Sequence, residues 1–122
     1  MQPQPMIAVR DVEKSSAWYC EVLGARSAHG GAEYERIAVG DVLILQLHRL
    51  DISHHHGTFG DPAQPLGNGV ALWFETDDLP AARVRAEHAV IQTDVHHNPN
   101  AGHDELWLRD PDNYLVVLAS QG

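Results

Sequence analysis

One cysteine, Cys20, is all that the 122 residues contain, so no internal disulfide can form. Basic residues are also scarce: 8 Lys and Arg stand against 17 Asp and Glu, a net charge of −9 with neutral histidines. Such a surface repels phosphate backbones, and no nucleic acid partner is expected. No apolar run approaches the roughly 18 residues of a membrane span, so no membrane partner is expected either. The opening Met1-Gln2-Pro3-Gln4-Pro5 has no basic stretch leading into an apolar one. No secretory leader is therefore expected. With a lone cysteine, a cytoplasmic location is the expectation. A glycine-rich Walker-type phosphate loop is missing as well.

What is present is ordinary globular composition, 43% hydrophobic and 20% charged, with an unusual nine histidines. The length suits one domain able to bury a core unaided. Its organising feature is an internal repeat. A strand pattern at Ile7-Ala8-Val9 leads to Asp11-Val12, and another at Leu72-Trp73-Phe74 leads to Asp78-Leu79. Each aspartate stands where a helix N-cap belongs. The first helix is expected over about Val12 to Leu23, with Ser15, Trp18, Tyr19, Val22 and Leu23 along one stripe and Gly24 as its stop. The second is expected over about Leu79 to His88, with Leu79, Ala82 and Ala86 inward and Pro80 in its first turn.

Three strand-like stretches follow each helix: 25–28, 34–39 and 42–47, then 90–95, 105–109 and 114–119. Gly40-Asp41 and Asp110-Pro111-Asp112-Asn113 are hairpin turns by composition. Asp11 and Asp78 mark one repeat spacing; Glu35 and Glu105 mark a second, three residues longer. Module one then spans about 1–50 and module two about 70–122. The linker of about 51–69 holds four glycines, two prolines and His54-His55-His56.

The string Val9-Arg10-Asp11 through Ser15, Trp18-Tyr19 and Val22-Leu23-Gly24 resembles the opening of the glyoxalase/bleomycin resistance/dioxygenase (vicinal oxygen chelate) superfamily. Trp107-Leu108-Arg109-Asp110-Pro111-Asp112-Asn113-Tyr114 resembles that family's last hairpin, and Phe74 to Leu79 its second-module opening. The resemblance covers nearly the whole chain. It implies an α+β fold, two βαβββ modules forming an incomplete mixed β-barrel with helices outside, in a single 1–122 domain. It also implies a small-molecule ligand and a homodimer. Members include isomerases, lyases, dioxygenases, thiol transferases and drug-sequestering proteins, so function rests on the site.

Metal-dependent members place ligands on the first and fourth strand of each module. By resemblance those positions are Gln4, Gln46, Ala71 and Val117. Transition ions want imidazole, carboxylate or thiolate. No metal at these positions and no cofactor is therefore expected. Strand alternation adds His48 beside Gln46, Trp73 beside Ala71, and Glu105 and Trp107 on the neighbouring strand. The expected ligand pocket is Gln4, Gln46, His48 and Ala71 with Trp73, Glu105, Trp107 and Val117. Trp73 and Trp107 have core filling as the competing explanation. The inward Glu105 needs a partner, and Arg109 is the candidate.

The leading expectation is a sequestration-like small-molecule binder without the usual metal site. The alternative is a metal-dependent lyase, isomerase or dioxygenase with a relocated site. Its divalent ion would draw on His48 and Glu105, or on His48, His54, His56, His97 and His103 in or near loops. Consecutive His54-His55-His56 cannot all face one ion. Metal-free catalysis would use His48 or Glu105 as general base. Asn98 to Gly102 reads as a turn at the pocket rim. Cys20 reads as a buried structural thiol, and Ser15 and Ser16 as capping or surface residues.

Overall fold

The computed structural model describes residues 1–52 and 54–121; Ser53 of the expected linker and Gly122 lie outside them. The chain divides into two compact units, Met1–Leu66 and Gly67–Gly122. The break falls inside the histidine- and glycine-rich stretch. The fold is α+β: each unit carries one helix and a four-stranded mixed sheet.

In unit one, β1 (Met6–Val9) leads into α1 (Val12–Leu23), then β2 (Arg26–Ser27), β3 (Tyr34–Val39) and β4 (Val42–Arg49). The sheet order is β1-β4-β3-β2. β1 lies parallel to β4, while β3 is antiparallel to both β4 and β2. Asp11 caps α1, its carboxylate accepting from the Lys14 N–H at 3.0 Å. Gly24 ends the helix at φ 61°, a left-handed conformation that disfavours any residue with a Cβ. The buried stripe of α1 runs through Val12, Ser15, Ser16, Tyr19 and Val22; Trp18 and Leu23 flank it, half-buried. With Ile7, Val9, Ile37, Leu45 and Leu47 these residues form the core of this unit.

Unit two repeats the plan. β5 (Ala71–Thr76), α2 (Leu79–Arg85), β6 (Val90–Asn98), β7 (His103–Arg109) and β8 (Leu115–Ser120) assemble in the order β5-β8-β7-β6. Asp78 accepts from the Ala81 N–H at 3.0 Å, and Pro80 sits in the first turn. α2 stops at Arg85, short of the expected His88. Its chain tightens into three-residue turns, with Glu87 N–H on the Val84 carbonyl and Ala89 N–H on Ala86. Leu79, Ala82 and Ala86 bury against β7 and β8, where Leu106, Leu108, Val116 and Leu118 form the core. In the 110–113 turn Asp110 accepts from the N–H groups of Asp112 and Tyr114, and Asn113 takes φ 68°.

The strand register corrects one point of the repeat. His48 on β4 pairs with Tyr34, and the matching Ala119 on β8 pairs with Glu105. Glu105 therefore corresponds to Tyr34. Glu35 faces the helix side of its sheet, Glu105 the opposite side of its own.

Candidate functional site

The sheet face away from α1 carries Met6 and Ala8 of β1, Gln46 and His48 of β4, and Tyr34 and Arg36 of β3, as the register requires. Against it lies a cavity of about 730 Å³. Met6, Tyr34 and Phe59 supply its apolar and aromatic wall. Gln46, His48, Glu33 and Thr58 supply polar groups, with His55 and His56 from the 54–56 turn. Both ends of the Gln46 amide are engaged. Its Oε1 accepts from the Tyr34 hydroxyl, and its Nε2 donates to the Gln4 carbonyl at 3.0 Å. Gln4 thus contributes backbone, and its exposed side chain is not among the cavity-lining residues.

His48 is buried, 5% exposed, and the strand fixes it. Its Nδ1 lies 2.9 Å from the Arg49 carbonyl, and His56 Nδ1 lies 2.8 Å from the Gly57 carbonyl. The two Nε2 atoms face each other at 3.0 Å. The ligand atoms of His48, His55 and His56 all lie within 4.8 Å of one another. Phe59 stacks on His48 with ring centroids 5.7 Å apart. His55 is held below the ordinary imidazole value by desolvation, then by the neighbouring His56, His54 and His48. The sequence points to His54 and His56 as candidate ligands, not to His55. The structure joins His55 and His56 to His48, and His54 is in ring contact with His55.

On the helix side of the same sheet, Glu35 is 2% exposed and accepts five hydrogen bonds with no cation among them. They come from the hydroxyls of Ser16 (2.8 Å) and Ser27 (2.6 Å) and from the backbone N–H of His29, Gly30 and Arg36. Burial pushes this carboxyl up, but the donors prevail and hold it at about 2 against an ordinary 4.5. Ser15 and Ser16 are buried, correcting the surface or capping assignment. The repeat spacing alone gives Glu35 no site role. Its place two residues before Ile37 was the available signal that it faces the core.

In unit two, Ala71, Trp73, Leu115, Val117, Glu105 and Trp107 share the sheet face opposite α2, as the pairings dictate. Trp73 is 49% exposed and Trp107 half-buried, so neither fills the core. Glu105 is 1% exposed. Its partner is not Arg109, which donates to Gln92 and to the Asn113 carbonyl. Glu105 instead accepts from Trp107 Nε1 (2.8 Å), Asn98 Nδ2 (2.8 Å) and His103 Nε2 (2.7 Å). Burial raises its carboxyl, while these donors and the His103 charge outweigh it and hold the group below the ordinary range. Asn98, read as a turn residue, ends β6 and serves Glu105. His97 lies 2.9 Å from Asp104, apart from this cluster. Cys20 is half-buried on α1, its thiol pushed up by burial. Among the described residues, no helix is long and apolar enough to cross a membrane.

Two mixed sheets, each fed by a capped helix in a repeated βαβββ order, define a known class of protein. The Glyoxalase/Bleomycin resistance protein/Dioxygenase superfamily model matches residues 2–118, and the chain belongs to that superfamily. A solved lactoylglutathione lyase from Agrobacterium tumefaciens is 18% identical, with 98% of this chain and 92% of that one covered at TM-score 0.73. TioX from Micromonospora is 16% identical, with 98% of each chain covered and TM-score 0.76. A bleomycin resistance determinant encoded on the transposon Tn5 is 19% identical, with 99% and 98% covered and TM-score 0.71. At these identities the likeness is one of fold, α+β and glyoxalase-like. No curated protein matches the chain.

The positions that the resemblance marks for metal do not fit a divalent transition ion. Ala71 and Val117 have no donor atom. Gln46 has both amide ends engaged, and neutral amides are weak ligands for such ions.

Proposed function

We propose that this chain is a small-molecule-binding protein of the glyoxalase/bleomycin resistance type, sequestering its ligand without a metal at the usual positions. The observation that carries this is the cavity of about 730 Å³ in unit one. Its size suits a drug-sized molecule, and Met6, Tyr34 and Phe59 offer apolar contact beside six polar or titratable side chains. Gln46 and His48 lie in the cavity wall and Gln4 braces it. Ala71, Trp73, Glu105, Trp107 and Val117 are the corresponding ligand-facing positions on the open face of unit two. A planar or cationic ligand fits the Tyr34 and Phe59 rings and the acidic surface. A homodimer in the cytoplasm completes the proposal.

The experiment is calorimetric titration in EDTA with acridine orange, ethidium and bleomycin. One equivalent of at least one of them is expected to bind. Phe59→Ala should weaken it by about 0.5–2 kcal/mol, the range for a ring on a cation. Binding by none of the three, or binding indifferent to Phe59→Ala, contradicts the proposal.

The competing reading is an enzyme: a metal-dependent lyase, isomerase or dioxygenase, or a metal-free catalyst with His48 or Glu105 as base. What favours it is the pair of buried titratable groups, each on the sheet face away from its helix. Turnover of a bound compound that His48→Gln or Glu105→Gln abolishes, with binding retained, would establish it.

A further inference from the structure

We infer that His48, His55 and His56 form a three-imidazole site for a divalent first-row transition ion, set in the wall of the unit-one cavity and separate from the positions the family resemblance marks. A carbonyl oxygen can only accept a hydrogen bond. His48 Nδ1 at 2.9 Å from the Arg49 carbonyl and His56 Nδ1 at 2.8 Å from the Gly57 carbonyl must therefore both carry hydrogen. In the neutral rings both Nε2 atoms then bear lone pairs. Those lone pairs face each other at 3.0 Å, an arrangement that repels unless a cation stands between them.

A metal ion satisfies this geometry. Zinc–imidazole bonds of about 2.0–2.1 Å at a tetrahedral angle place two nitrogens about 3.3 Å apart. The His48–His56 pair needs to open by only a few tenths of an ångström. The third nitrogen, from exposed His55, already lies within 4.8 Å of both and needs only a side-chain rotation. Metal-bound histidines commonly give their other N–H to a carbonyl, which fixes the ring and its tautomer. His48 and His56 both do so here. Gly57 supports the arrangement, since its φ of 85° turns the chain directly after His56 and would strain any other residue. The guanidinium of Arg49, next to His48 in the chain, is paired with Asp51 at 2.6 Å. Imidazole donors select zinc, copper, nickel or iron over magnesium and calcium. Three protein ligands leave a coordination position open to water or to a donor atom of a molecule in the cavity.

The test uses the full chain without a histidine tag and with no small molecule present, so its outcome is independent of the ligand-binding titration. Zinc is followed by calorimetry, and cobalt by its visible d–d absorption. The expected result is one zinc per chain and a cobalt spectrum of low coordination number. His55→Ala and His56→Ala should each weaken zinc at least about tenfold, and His54→Ala should leave it unchanged. All three positions are exposed, so folding survives these substitutions. His48→Gln, checked for retained far-ultraviolet circular dichroism, should abolish the cobalt spectrum. No stoichiometric zinc, or zinc affinity that is indifferent to His55→Ala and His56→Ala, overturns the inference and leaves a shared proton as the occupant of the pair.

Discussion

The two units run the same βαβββ plan, yet each buries its carboxylate in a different way. Glu35 faces the helix side of its sheet, where three backbone N–H groups and two serine hydroxyls hold it. Glu105 faces the side away from α2, held by the side chains of Asn98, His103 and Trp107. Backbone donors cannot turn away without unmaking the fold. Side-chain donors can, by changing rotamer. Burial alone does not separate the two acids; the kind of donor does.

The sharpest way to break this comparison is to remove each acid. Glu35→Ala leaves five donors facing an apolar void, and should cost about 3 kcal/mol or more in urea unfolding. The same group should govern acid stability. Its carboxyl is lowered to about 2 from 4.5, so its contribution is complete above about pH 4.5 and disappears as pH falls toward 2. That contribution is about 3 kcal/mol, and a pH series comparing the wild type with Glu35→Ala isolates it. Equal acid sensitivity in the two proteins would remove Glu35 from its structural role. Glu105→Gln should have a smaller effect on stability, about 1–2 kcal/mol, because flexible side chains can re-pair. It should instead shift the emission of Trp107, whose indole N–H donates to this carboxylate. A Glu105→Gln loss as large as that of Glu35→Ala would erase the distinction between the two acids.

Much of the fold was legible because the local signals agree with each other. Asp11 and Asp78 mark both helix starts, Gly24 stops the first helix, and the 110–113 turn declares itself by composition. α2 was overrun because no glycine marks its end and its chain tightens gradually. Face assignment by alternation grouped Trp73 with Ala71, and Trp107 with Glu105, as the register does. Alternation needs the right starting residue, however. Pairing Glu35 with Glu105 by spacing slipped one residue, and one residue exchanges the two faces of a strand. What could not be read were contacts set by chain return. Asn98 reaches Glu105 across a hairpin, and His56 comes back over His48 from an irregular segment. Neither approach leaves a periodic trace.

On the proposed function, the unit-one cavity takes up a small molecule without help from a metal. An amide NMR titration with the planar cations, in EDTA, tests it most directly. Saturable shifts centred on Tyr34, Gln46, His48 and Phe59 are expected at one ligand per chain. Shifts that spare those residues, or that arise only once zinc is added, would contradict it.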